Sequence, residues 1–247
     1  MLLVGVLAGC SSGEHGSDSY EVTARFPHDS TAYTQGLLWA DSALFESIGL
    51  YGHSELRRVD LRSGKVKATR PLTADRFGEG LALLKGRLYQ LTWKEEIAYV
   101  YDESTLTLRD SIHYPGQGWG LTTDGISLIM SDGSDSLRFL TPTSFQAQRV
   151  VHVHYNGSPL YQLNELEFLN GEVLANVYES NWVLRIDPLT GNVREAIDFT
   201  DLYTNRALLA EVMNGIAVSP DSGQLLLTGK NWPVVFQVRL RTRNSTH

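Results

Sequence analysis

The chain has a single cysteine, Cys10, in 247 residues. That excludes an intramolecular disulfide and any thiolate-cage zinc site. It has no basic run: Lys and Arg number 21 against 28 Asp and Glu, for a formal net charge of −7. Such a chain offers little to nucleic-acid phosphates, and no nucleic-acid partner is expected. The apolar run 1–9 is far shorter than the roughly 20 residues a spanning helix needs. HExxH and the P-loop are missing, and there is no GxSxG elbow: Gly9-Cys10-Ser11-Ser12-Gly13 has the spacing but lies in the polar stretch after the apolar run, not at a strand-to-helix turn. Gly116-Gln117-Gly118-Trp119-Gly120 lacks the GxGxxG spacing. His152 and His154 have no third ligand nearby, and Ser131–Asp135 is too short for an EF-hand and reads as a turn. No metal and no cofactor is therefore expected. What the chain has in quantity is glycine, 22 residues, and aromatics, 10%. With no long helical periodicity, that points to many short strands and tight turns.

The first residues, MLLVGVLAG, end at Cys10. They read as the end of a secretory signal, and Leu7-Ala8-Gly9-Cys10 is similar to a bacterial lipobox, although no Lys or Arg precedes the cysteine. On that reading residues 1–9 are a signal segment, Cys10 is the lipid attachment site and 10–19 is a polar, flexible tether. The protein would be exported to the bacterial cell envelope, on its periplasmic or surface side, and would meet the membrane through the lipid anchor only.

From Tyr20 to Leu240 the sequence repeats itself. Gln35-Gly36-Leu37-Leu38, Glu79-Gly80-Leu81-Ala82, Trp119-Gly120-Leu121, Asn164-Glu165-Leu166 and Asn214-Gly215-Ile216-Ala217 share one pattern. Their matching positions are Gly36, Gly80, Gly120, Glu165 and Gly215, spaced 44, 40, 45 and 50 residues apart. A period near 45 belongs to propeller arrays of four strands per unit. Each unit continues through a turn into a second strand (ALFESIG, RLYQLTW, SLIMSD, EVLANVY, QLLLTGK) and then a third. Four units add a fourth strand, while the fifth stops near Leu240. The spare strand Tyr20–Phe26 supplies what is missing if it pairs with VVFQVRL, which leaves no open sheet edge. The expected fold is all-β: one five-bladed propeller over 20–240, four strands per blade, with the N-terminal strand completing the last blade and 241–247 as a tail. Asp198 to Val212, with Leu202, Leu208, Leu209 and Val212 at helical spacing, reads as a short helix or a long loop.

Strand one of each blade lines the channel, so residues just before it and those ending strand two gather at one mouth. The first group holds Tyr33, Gln35, Phe77, Glu79, Trp119, Asn164, Glu165 and Asn214. The second holds Glu46, Trp93, Lys94, Asp132, Tyr178, Lys230 and Trp232. Acids, amides, lysines and aromatic walls in one concavity suit a small-ligand pocket. Most have a bland alternative. Asn164 and Asn214 are good turn formers, and Glu46 can pair with a neighbouring Lys or Arg. Glu79 stands out, because a charge in a narrow glycine-lined channel is costly unless used or paired.

The blocks YTQGL (33–37), ESIGLYGHS (46–54), FGEGL (77–81), YQLTWK (89–94), GWGLTTDG (118–125), SDGS (131–134), NELE (164–167), IDPLTGNV (186–193), NGIA (214–217) and TGKNWP (228–233) follow one another in order. In this the chain resembles the plant and bacterial type of glutaminyl-peptide cyclotransferase. The resemblance implies a five-bladed propeller that turns the N-terminal Gln of peptides or proteins into pyroglutamate with release of ammonia, without a catalytic zinc. It implies Glu79 as the catalytic residue. The substrate site would be Tyr33, Gln35, Phe77, Trp93, Trp119, Asn164, Tyr178 and Lys230. Position 33 is Tyr where the family commonly has Phe, and position 178 is Tyr where many members have Trp. The expected partner is a peptide or protein with N-terminal glutamine, and the expected state is a monomer. Two rival readings stand: a non-catalytic propeller lipoprotein for binding or envelope assembly, and a lactonase- or lyase-like enzyme with a metal held by Glu79, Glu165 and Asn214.

Overall fold

A computed structural model describes residues 19–204, 207–219 and 222–241. The expected signal segment lies outside those residues, as do the tether with Cys10 (Ser19 apart) and the tail beyond Arg241. Among the described residues all regular structure is strand. Five four-stranded antiparallel sheets make five blades. Blade 1 is Thr34–Ala40, Ala43–Ile48, Glu55–Asp60 and Lys65–Pro71. Blade 2 is Gly78–Leu84, Arg87–Thr92, Ile97–Asp102 and Leu108–His113. Blade 3 is Leu121–Thr123, Leu128–Met130, Ser136–Leu140 and Ala147–His152. Blade 4 is Leu163–Leu169, Glu172–Val177, Trp182–Ile186 and Val193–Asp198. Blade 5 is Met213–Val218, Leu225–Gly229 and Val234–Leu240, and its fourth strand is Tyr20–Pro27. Tyr20 pairs with Leu240 and Pro27 with Val234 across that seam, with one irregularity between Val22 and Ala24. Chain start and chain end thus close the ring, as the spare-strand reading expected.

The innermost strands touch one another in an unbroken cycle of five. Burial follows the radius. Residues 34–38 of the first strand of blade 1 are buried, whereas every residue of the outermost, Lys65–Pro71, is exposed. The apolar core is divided among the five blade interfaces. Leu38, Phe45 and Leu56 meet Leu81, Leu88 and Tyr101 between blades 1 and 2. Leu37, Leu44 and Val59 meet Ala217, Leu226 and Val235 between blades 1 and 5. Both faces of each inner strand are therefore buried, which is why these strands read as continuous apolar runs.

Beyond the strand end at Asp198, the described residues 199–204 and 207–212 form no helix and run as a loop. Its helical spacing is not used: Leu202 is buried, but Leu208 and Leu209 are exposed. Leu202 N–H instead closes a turn on the Phe199 carbonyl at 2.9 Å, and Phe199 packs on Tyr20.

Where the N-terminal strand meets blades 1 and 5, His28 is buried between two acceptors. Its Nδ1 is 2.6 Å from the Trp232 carbonyl and its Nε2 is 2.9 Å from Glu46 Oε1. Glu46 also accepts from Thr34 Oγ1 at 2.7 Å. Its partner is thus this histidine and not a Lys or Arg. Burial alone would lower the His28 pKa, but the Glu46 carboxylate and the Trp232 carbonyl outweigh it and the value rises. Burial likewise pushes Glu46 up, and His28 with Thr34 brings it below its usual value. The histidine's contribution to stability is present below its ordinary pKa and is lost as pH rises through the raised one. The glutamate's is present above its ordinary pKa and is lost as pH falls through the lowered one. The pair should therefore stabilise most between about pH 4.5 and 6.5. Replacing His28 with Ala leaves a buried carboxylate unpaired and should cost about 3–5 kcal/mol. Urea unfolding of both proteins across pH should show the difference greatest in that window; a difference that does not vary with pH would count against an ionised pair.

Candidate active site

The first strands of blades 1, 2, 4 and 5 all break register at the same end. The irregularities lie between Thr34 and Gly36, Gly78 and Leu81, Leu163 and Leu166, and Met213 and Ile216. A bulge puts an unpaired residue on the strand and re-aims its side chain. The residues inside these four breaks are Gln35, Glu79 with Gly80, Asn164 with Glu165, and Asn214 with Gly215. In blade 3 Trp119 occupies the corresponding place, just before Leu121. Strand periodicity shows none of this. The signal was the pattern's interruption by a polar residue beside glycine.

Close approach of the inner strands makes the glycines necessary. A Cβ on Gly120 would lie 1.9 Å from the Asn164 carbonyl oxygen. The fourth repeat has Glu165 in that register, and its carboxylate accepts the Ile216 N–H at 2.8 Å and the Leu37 N–H at 3.2 Å. It thereby ties blade 4 to blades 5 and 1. Burial, then neighbouring Glu167, raises the Glu165 pKa well above normal, and burial pushes Glu167 to about 8.

Above this plug lies a cavity of about 210 Å³. Its polar lining is Gln35, Glu79, Asn164 and Lys230, and its walls are Tyr33, Phe77, Trp93, Trp119 and Tyr178. All nine residues expected to touch substrate or act on it are brought together. Phe77 packs on Trp93 at 5.6 Å and Trp119 meets Tyr178 edge-on at 5.7 Å. Gly133 seats Trp119, since a Cβ there would come within 2.7 Å of the indole.

Glu79 is buried and accepts a hydrogen bond from Gln35 Nε2 at 2.9 Å. Gln35 Oε1 in turn accepts from Asn214 Nδ2 at 3.1 Å, and the same nitrogen reaches the Thr34 carbonyl at 3.0 Å. The Gln35 carboxamide is therefore oriented by Asn214 and directed at Glu79. Burial raises the Glu79 pKa well above the ordinary carboxylate range. Lys230 opposes that rise, Glu95 adds to it and the Gln35 bond opposes it. Burial depresses Lys230, against the pull of Glu79 and Glu211. The Lys230 ammonium lies over two aromatic faces, 4.6 Å from Tyr33 and 5.0 Å from Tyr178.

Five other residues of the expected mouth are held elsewhere. Glu46 pairs with His28, as described. Asp132 forms a two-bond pair with Arg138, at 3.1 and 2.8 Å. Trp232 is fully buried and donates to the Glu211 carbonyl at 2.9 Å. Lys94 covers the Trp93 ring from 3.7 Å. Glu165 serves the backbone. Of the three groups of the lyase-like reading, Glu165 is committed to the Leu37 and Ile216 N–H groups, and Asn214 Nδ2 to the Thr34 carbonyl and Gln35 Oε1. His152 pairs with Asp135 at 3.2 Å. One contact was not foreseen: Gln117 Oε1 accepts from both indoles, Trp93 Nε1 at 2.9 Å and Trp119 Nε1 at 3.1 Å.

Residues 2–240 match the family model described as glutamine cyclotransferase. The chain is 42% identical over 246 residues to a glutaminyl-peptide cyclotransferase of Arabidopsis thaliana, covering 94% of this chain and 76% of that protein. Its structure matches the crystal structure of Myxococcus xanthus glutaminyl cyclase with a TM-score of 0.83 at 37% identity, covering 90% of this chain and 96% of the other. Hydrazine synthase of Kuenenia stuttgartiensis also matches, with a TM-score of 0.50 at 17% identity over 89% of this chain and 59% of that one. That likeness shows the fold alone.

A carboxyl group kept protonated above the ordinary glutamate range is visible by infrared spectroscopy. Glu79, Glu165 and Glu167 should each contribute a carbonyl band that persists above pH 4.5. Replacing Glu79 with Gln should remove one component of that absorbance and leave the rest. Identical spectra for the two proteins would contradict the raised Glu79 value.

Proposed function

The chain belongs to the glutamine cyclotransferase family, and from that premise we propose the chemistry its own cavity carries out. The N-terminal glutamine of a peptide or protein is closed into pyroglutamate and ammonia leaves, with Glu79 carrying the proton between the two nitrogens. The observation that supports this most is a buried glutamate, aligned by Gln35 and opposed by Lys230, at a cavity with five aromatic walls.

The substrate contains both reacting groups. Its α-amino nitrogen attacks the carbon of its own γ-carboxamide, and the bond from that carbon to the amide nitrogen breaks. The enzyme's first task is to select the folded-back conformer, which is a matter of entropy. Tyr33, Phe77, Trp93, Trp119 and Tyr178 hold the side-chain methylenes and exclude water. The second task is proton traffic. Glu79 as carboxylate takes a proton from the attacking nitrogen and, as the acid, returns it to the departing one. A pKa raised by burial above the ordinary glutamate value suits a group that does both. The third task is to stabilise the oxyanion. Both indole N–H groups are engaged by Gln117, while the Asn164 Oδ1 is sealed away without a partner. The Asn164 amide nitrogen and Lys230 are therefore the donors assigned to the oxyanion.

The cycle uses a proton carrier and hydrogen-bond donors only, so turnover should survive EDTA. The same proposal keeps the protein at the cell envelope through a lipid on Cys10, acting as a monomer on N-terminal glutamine. A Cys10→Ala protein should move from the membrane to the soluble fraction with its turnover intact; continued membrane association would remove the anchor.

Glu79→Gln should slow ammonia release from a Gln-initial dipeptide by about 10²–10⁴-fold while the protein stays folded. Near wild-type release would eliminate Glu79 as the carrier. A Gln peptide that binds without losing ammonia from the wild-type protein would favour the non-catalytic module. Glu95 adds negative potential to Glu79 and accepts from Tyr51 Oη at 2.8 Å. Glu95→Gln keeps an acceptor and removes the charge. The acid limb of kcat/KM should then shift to lower pH, because Glu79 loses its proton more readily; a shift upward would refute that sign.

A further inference from the structure

Gln117 lies in the connection between blades 2 and 3, which end and begin at His113 and Leu121. Its side chain is exposed, yet it does not extend into solvent. Its oxygen accepts from Trp93 Nε1 at 2.9 Å and from Trp119 Nε1 at 3.1 Å. An indole N–H is a donor and nothing else, so only the oxygen end of the carboxamide can face the pair. The backbone on either side is fixed. Gly116 N–H donates to Glu96 Oε1 at 2.8 Å, and Gly118 N–H to the Trp93 carbonyl at 3.0 Å. The Trp119 N–H is held by the Ser131 carbonyl at 3.0 Å. The Gln117 backbone is thus anchored on both sides while its oxygen joins two walls that come from different blades.

We propose that Gln117 is a positioning residue for the cyclisation: its one oxygen sets the spacing and tilt of the Trp93 and Trp119 indoles, and so the width of the slot in which the glutaminyl side chain folds back. Gln117 itself is absent from the cavity lining and acts through the two rings. The inference rests on the reaction proposed above. An aromatic slot selects a folded conformer only if its walls keep their separation. A ring free to rotate about its two side-chain torsions would admit extended, unreactive conformers as well. One acceptor shared by two donors is an economical device for this, because moving either indole alone breaks a hydrogen bond. Tyr178 and Phe77 support the rings by edge and tilted contacts but leave both N–H groups free of them.

The test compares Gln117→Ala, which removes the acceptor, with Gln117→Glu, which keeps two oxygens able to take both donors. In Gln117→Ala, kcat on a Gln-initial dipeptide should fall about tenfold, the order of two hydrogen bonds lost at a partly exposed site. KM should change less, because extended conformers still bind. The near-UV circular dichroism of the tryptophans should weaken, while Tm stays close to wild type. Gln117→Glu should restore both the kcat and the dichroism. Wild-type kcat and an unchanged tryptophan signal in Gln117→Ala would overturn the proposal, as would a fall in kcat that Gln117→Glu does not rescue. If the wild-type protein releases no ammonia, the reaction proposed above has failed. The dichroism of the two variants would still decide whether Gln117 orders the indoles.

Discussion

Five strands crowded around one axis must leave their backbone groups paired, and most of the polar chemistry near the mouth follows from that requirement. Where the strands run regularly, the sheets satisfy their own N–H groups. Where they bulge, side chains from other strands take over. Ser131 Oγ accepts the Gly120 N–H at 2.8 Å and Asn176 Oδ1 the Gly215 N–H at 3.0 Å. Ser54 Oγ accepts that of Gly78 at 3.0 Å, and Glu165 serves both Leu37 and Ile216. An unpaired buried donor would cost on the order of 1–3 kcal/mol, so each of these side chains is needed by the fold whatever the protein does. The bulges they stabilise are the same ones that turn Gln35, Glu79 and Asn164 into the cavity.

Burial makes the cavity reactive. In water Glu79 would be an ordinary carboxylate. Here it loses hydration, and its compensation is deliberately incomplete: one amide donor and one ammonium, itself weakened by burial. Each partner's charged form is less favoured than in solvent, which brings the two groups closer in proton affinity. The buried His28–Glu46 pair shows the opposite arrangement. There the histidine faces a carboxylate and a carbonyl, the carboxylate has a hydroxyl donor as well, and the charged form of each group is favoured over its ordinary balance. Two buried glutamates of one chain are set to different tasks by how fully each is paired.

The fold was legible because it repeats. A period near 45 residues, five turn-and-strand patterns and a spare strand at the start suffice to deduce a closed ring. What stayed open or was passed over has physical reasons. Residues 198–212 carry a helical spacing that left a short helix and a long loop both open; Leu208 and Leu209 are exposed while Phe199 and Leu202 enter the blade 4–5 interface, and the described residues take the loop. Among the polar residues of the mouth, position in the repeat did not separate those held by other partners (Glu165, Asn214, Glu46, Asp132) from those that face the cavity; only the family resemblance did. That division depends on which way a bulge turns each side chain. Gln117 was passed over because it lies in a glycine-rich turn, and only the folded ring brings an indole from another blade to its oxygen.

The two aromatic departures at the mouth fit the same electrostatics. Among the described residues Lys230 is the only cation lining the cavity, and its ammonium rests on the faces of Tyr33 and Tyr178. What that contact requires is a π-face at each position, and a phenol ring provides one as a benzyl or indole ring would. The hydroxyls add something further. Burial raises the Tyr33 pKa, and the Glu211 carboxylate, which its hydroxyl meets, raises it again. Tyr33 thus remains a neutral donor that fixes Glu211, and Glu211 in turn favours the charged form of Lys230. A phenylalanine would keep the π-face and lose that tether, so the tyrosine strengthens the hold on the lysine that opposes Glu79.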